Sequence, residues 1–109
     1  MLKVTSEWLN DRGNLYDATV THVRIQGTTI EVAINDEWFN SRGFDRPEGE
    51  ASPGALILED CSALQRPASD AAGGWLDAVN LQNDELDLQF CDWAPISLRM
   101  SAVWWRSSR

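Results

Sequence analysis

Apolar and polar residues alternate along most of this chain with a period of two, the spacing that puts successive side chains on opposite faces of a strand. Segment 18–25, Ala-Thr-Val-Thr-His-Val-Arg-Ile, is rich in β-branched residues, with polar ones on alternate positions. Gln26-Gly27-Thr28 supplies a turn whose glycine is free to take positive φ. Ile30, Val32 and Ile34 then share one face of segment 29–34, so the two segments read as a β-hairpin. Segment 55–58, Ala-Leu-Ile-Leu, predicts a short apolar strand that can run on through Cys61 to Leu64. Segments 75–81 and 86–90 predict a second hairpin, with Leu86, Leu88 and Phe90 inward and Asp87 and Gln89 toward water. Asp92-Trp93-Ala94-Pro95 makes a corner, because proline removes a ladder donor. Segment 96–105 alternates most regularly and predicts one unbroken strand. Ile96, Leu98, Met100, Ala102 and Trp104 fall on one face of it; Ser97, Arg99, Ser101, Val103 and Trp105 fall on the other.

Two stretches break the alternation. Asn35-Asp36-Glu37-Trp38-Phe39 opens a loop that continues through residues 40–54, where glycine, proline and charge preclude a regular element. Residues 65–74, ending in Gly73-Gly74, form a second loop. The first fifteen residues allow either a helical stripe through Val4, Trp8 and Leu9 or a bent strand through Leu2, Val4 and Trp8. No helical segment is long enough for a βαβ crossover, and one-sided strands must cover their apolar faces. The expected fold is therefore all-β, with at most a short N-terminal helix. It is an antiparallel sandwich or partly open barrel of about five to seven strands.

A length of 109 residues makes this one domain, and a hydrophobic fraction of 43% suffices for a core. No apolar run approaches the ~20 residues needed to cross a bilayer. The start, Met-Leu-Lys-Val-Thr-Ser-Glu-Trp, lacks the apolar stretch of a signal peptide, so a cytoplasmic protein is expected. Cys61 and Cys91 are too few for a disulfide framework and lack close C-x-x-C spacing. They read as reduced, buried or half-buried thiols, with a bridge open only if their strands are neighbours.

Charge placement says more than the net value of −8. Residues 31–95 hold fourteen Asp and Glu against Arg42, Arg46 and Arg66, while the flanks are neutral or basic. Such a middle repels phosphate backbones and anionic membrane surfaces, which argues against nucleic-acid and membrane partners. It attracts a basic protein partner.

The sequence offers little catalytic chemistry. Phosphate-binding glycine loops, H-E-x-x-H, an EF-hand loop and a nucleophile elbow are all missing. The single histidine, His22, shares a predicted strand face with Val20 and Arg24 and reads as half-exposed, bonded to a carboxylate such as Asp17. His22, Cys61 and Cys91 have no chelate spacing, so neither a metal nor another cofactor is expected. Adjacent acids are unavoidable among seventeen in 109 residues and do not by themselves make a glycosidase.

Six tryptophans are many for this length, and Trp104 and Trp105 cannot both face the core of a regular strand. Trp38-Phe39 and Trp93 adjoin acids at loop edges, and aromatic anchors with a polar rim suit recognition surfaces. Asp36, Glu37, Trp38, Phe39 and Trp93 are the candidate binding residues. The alternative use of these indoles is a cavity that binds a small ligand or carbohydrate. Edge-strand pairing into a homodimer also stays open. The final strand is too apolar to be an unprotected edge and should be central or covered.

Tyr16-Asp17-Ala18 leading into the first hairpin, followed by Pro53-Gly54-Ala55-Leu56-Ile57-Leu58-Glu59-Asp60-Cys61, resembles small bacterial β-sheet proteins, some of them similar to immunity proteins that neutralise contact-delivered toxins. The resemblance spans about half the chain and carries no diagnostic motif. It implies a cytosolic, non-catalytic binding protein and transfers no site residues.

Overall fold

The computed structural model describes residues 1–35 and 53–108. Asp36, Glu37, Trp38 and Phe39, and the loop expected to follow them, lie outside the described residues as far as residue 52. Nine strands are described: β1 (Leu2–Lys3), β2 (Thr19–Gln26), β3 (Thr29–Asn35), β4 (Gly54–Glu59), β5 (Ser62–Ala63), β6 (Leu76–Gln82), β7 (Glu85–Phe90), β8 (Ile96–Arg99) and β9 (Ala102–Ser107). One short helix, α1 (Ser6–Asp11), and two 3₁₀ turns, at Gly13–Leu15 and Ala68–Ala71, complete them. One sheet runs β1-β9-β4-β3-β2 and the other β5-β8-β7-β6, every pairing is antiparallel, and the sheets are not closed into a barrel.

The expected all-β antiparallel architecture is present, and the strand count exceeds five to seven mainly through the two-residue strands β1 and β5. The N-terminus uses both readings in succession: Leu2 and Lys3 pair with β9, then α1 begins. Thr5 caps the helix by accepting a hydrogen bond from the Trp8 N–H, a contact typically worth about 1 kcal/mol. Both hairpins form where alternation predicts them. Gly27 sits at φ +61° in the first turn and Asn83 at φ +56° in the second.

A single core lies between the sheets. Val20, Val32, Ile34, Leu56, Leu58, Val103 and Trp105 come from one, and Leu76, Val79, Leu86, Leu88, Ile96 and Leu98 from the other. Burying each large aliphatic side chain contributes about 1.5–3 kcal/mol.

Three strand readings need correction. The strand from Ala55 does not run on to Leu64: Asp60 takes φ +50°, and the chain leaves β4 to form β5 in the other sheet. Segment 96–105 is likewise two strands, interrupted at Met100-Ser101. β8 pairs with β7 and β5, whereas β9 pairs with β4 and β1. Because the core lies between the sheets, a chain that crosses from one to the other must reverse which parity faces inward. Ile96 and Leu98 are buried on β8, but on β9 it is Val103 and Trp105 that are buried while Ala102 and Trp104 are half-buried. Both strands are interior to their sheets, as their apolar character requires.

The third correction concerns β2. A bulge between Val20 and His22 shifts the register, so Val20 packs in the core and Val23 against it. His22 and Arg24 therefore do not share a face with Val20. Among the described residues the carboxylate that His22 approaches is Glu31, 3.9 Å away, and not Asp17.

Candidate binding surface

The start of β2 and the approach to β6 are laced together across the sheets. Asp17 N–H donates to the Leu76 carbonyl, Leu76 N–H to Ala18, Val20 N–H to Gly74 and Gly73 N–H to Val20. Asp17 takes φ +68° to make this connection. The lacing brings Asp17 and Trp75, far apart in sequence, into contact: the Trp75 indole Nε1–H donates to Asp17 Oδ1. Trp75 is nevertheless 51% exposed, so the bond fixes an indole that remains half open to solvent.

A bulge between Leu76 and Ala78 makes Asp77 the extra residue of β6. Cys91 N–H donates to the Trp75 carbonyl at 3.0 Å. The Cys91 thiol is raised above its ordinary value by local desolvation and then by the charges of Asp77, Asp92 and Asp17. An exposed thiol in that field is a poor nucleophile at neutral pH.

Trp93, the one candidate residue among those described, borders the same turn and is 42% exposed. Its ring lies 5.4 Å from Phe90, and a Cβ at Gly73 would stand 4.0 Å from it. Gly74 has no room for a side chain, since a Cβ there would lie 2.3 Å from the Phe90 ring. The corner that carries Trp93 is held by Arg66, which donates to the Ala94 carbonyl at 2.6 Å and lies 3.7 Å from Asp70.

Sequence reasoning found Trp93 but not its companions Trp75, Asp17, Asp77 and Asp92. Gly73-Gly74 immediately before Trp75 was the available signal, because such a turn admits close backbone approach. The pairing with Asp17 depends on tertiary contacts alone. Of the other described tryptophans, Trp105 is buried, Trp8 lies tilted against it with ring centroids 5.3 Å apart, and Trp104 is half-buried; the Arg12 guanidinium lies 4.1 Å from the Trp8 ring.

Cys61 is buried and Cys91 exposed, and both are free thiols. Among the described residues no three His, Cys, Asp or Glu side chains converge to hold a metal ion, and no helix is long and apolar enough to cross a membrane. A cleft of about 140 Å³ lies on the five-stranded sheet, lined by Arg24, Gln26, Thr29, Glu31, Ile57 and Arg106. A second, of about 60 Å³, lies between α1 and β6. Neither is lined by tryptophan. In comparison with known proteins, the chain matches no family model, no curated protein and no solved structure.

Proposed function

We propose that this protein is a non-catalytic binding module for a basic protein partner, of the kind an immunity-like cytoplasmic inhibitor represents. The observation that carries the reading is the half-exposed Trp75, its indole N–H held by Asp17, with Asp77 two residues along the chain and Asp92 next to Cys91, whose N–H donates to the Trp75 carbonyl. A Lys or Arg side chain laid on that indole gains a cation–π contact and nearby carboxylate partners, together worth roughly 1–3 kcal/mol. Trp93 extends the aromatic area beside the same turn, and the charge of −8 speeds the encounter with a cationic partner.

The test compares the wild-type protein with an Asp17→Asn/Asp77→Asn/Asp92→Asn variant as affinity baits in its native lysate. The expected result is a basic protein retained by the wild type, released as salt rises, and lost from the variant. Identical retained proteins on both baits would refute the reading. Size-exclusion chromatography with light scattering tests whether a second copy is itself a partner. An indole fluorescence change with oligosaccharides but not with basic peptides would favour the carbohydrate reading instead.

A further inference from the structure

The cleft on the outer face of the five-stranded sheet is built differently from the rest of this acidic molecule. Glu31 sits in the middle of β3, with its cross-strand neighbours Arg24 on β2 and Ile57 on β4. It is only 8% exposed, an expensive place for a carboxylate that would need strong partners. Arg106 Nη2 donates to Glu31 Oε1, while Arg24 Nε and His22 Nε2 each stand 3.9 Å from Oε2.

One carboxylate needs one guanidinium, and here there are two. Arg24 and Arg106 side chains are 63% and 53% exposed. Each guanidinium carries five N–H donors. Among the described residues Arg106 spends one on Glu31, and Arg24 makes no hydrogen bond shorter than its 3.9 Å ion pair. Thr29 and Gln26 add a hydroxyl and an amide to the lining, and Ile57 adds the apolar surface.

We propose that this cleft binds a carboxylate on a short aliphatic stem, with Arg24 and Arg106 as the donors and Glu31 as the group that positions Arg106. The lining has a formal charge of +1, which suits a monoanionic head better than a dianionic phosphate. The planar guanidinium fork matches a carboxylate in two-point contact. Ile57 offers contact to the carbons that a carboxylate carries and inorganic phosphate lacks. A volume of about 140 Å³ holds such a head and a short stem but not a large ring system. The head can belong to a free small acid or to a Glu or Asp side chain on another protein.

The experiment titrates the folded protein with sodium butyrate, with acetyl-Ala-Glu-Ala-amide and with sodium phosphate at matched ionic strength. It follows the side-chain Nε–Hε resonances of Arg24 and Arg106 by NMR. The expected result is a saturable shift of both resonances at roughly millimolar ligand. Arg24→Gln, at an exposed position, weakens binding about tenfold or more, whereas Arg99→Gln on β8 leaves it unchanged. Arg106→Gln alone leaves Glu31 buried without its partner, so Arg106 is tested in the Glu31→Gln/Arg106→Gln double variant, which is also expected to bind weakly. Tighter binding of the peptide assigns the carboxylate to a protein, and tighter binding of butyrate assigns it to a free acid; either supports the site. Linear shifts without saturation, affinity indifferent to Arg24→Gln, or phosphate binding tighter than both carboxylates would overturn the proposal.

Discussion

Gly54 opens β4 beneath the indole of Trp105, and replacing it with alanine tests how closely the neighbouring strands β4 and β9 are fitted. Strand propensity alone makes Gly54→Ala stabilising by about 0.5–1 kcal/mol, since glycine loses more backbone entropy on folding. Packing says the reverse. A Cβ at Gly54 would lie 2.3 Å from Trp105 Cζ2 and 2.7 Å from the Arg106 carbonyl oxygen. The indole cannot simply move aside, because it is 2% exposed and packed against the tilted ring of Trp8. The carbonyl belongs to the neighbouring strand and is fixed by the ladder. Overpacking of this kind costs about 1–3 kcal/mol, and the backbone contact places it in the upper half of that range. Less the propensity gain, the net loss is about 1–2.5 kcal/mol, or a melting temperature lower by roughly 4–12 °C for a domain of this size. Calorimetry and urea titration measure it directly. In a Trp105→Leu background the same substitution should cost less, giving a coupling on the order of 1 kcal/mol. A Gly54→Ala protein as stable as the wild type or more so, or strictly additive effects in the double variant, would refute the close approach.

The remaining predictions concern parity, capping and the thiols. Val103→Asp puts a charge into the core and should cost more than about 3 kcal/mol in urea unfolding, whereas Ala102→Asp, one residue earlier, should cost far less. The opposite order would mean that β9 keeps the phase of β8. Thr5→Ala should lower stability by about 1 kcal/mol through loss of the α1 cap, with no change in m-value. At pH 8 a thiol reagent should label Cys91 slowly and Cys61 only on unfolding, and Asp77→Asn should speed the Cys91 reaction. Burial pushes the Cys61 thiol up from 9.0 to about 11. Its folded-state preference for the neutral form is fully present below pH 9 and is lost as pH rises through 11. That contributes on the order of 2 kcal/mol, which Cys61→Ala should remove from the stability–pH curve.

How far the chain could be read in advance follows from which forces are local. The hairpins at 19–35 and 76–90 are encoded by neighbours: alternation sets the faces, and Gly27 and Asn83 set the turns. The bulges at Thr21 and Asp77 are not, because nothing in Val20-Thr21-His22 distinguishes a residue that pairs from one that is squeezed out. The break at Met100-Ser101 was hidden for a related reason. Met100 is buried and Ser101 exposed, just as an unbroken strand would have them, and only the pairing partners on either side reveal the crossing. Of the candidate surface, Trp93 was legible from its loop position beside an acid. Asp17 and Trp75 were not linked, since their bond spans 58 positions and exists only when both sheets are assembled. The pairing of Glu31 with Arg106 spans 75 and was equally invisible.

The crossing at Met100-Ser101 has a consequence for how the molecule comes into being. β9 lies between β1 and β4, and β8 between β5 and β7, so one continuous segment supplies an inner strand to each sheet. On a ribosome the first hairpin can form early, but β1 waits with no neighbour and β4 with one side bare until residues 96–107 have left the exit tunnel. Commitment to the native state is thus deferred until β8 and β9 are made, and the nascent chain must spend that interval with its sheet edges unpaired. Release of a chain stalled before Ile96 should yield a sticky, protease-sensitive product, whereas adding 96–107 should close both sheets in a single cooperative step.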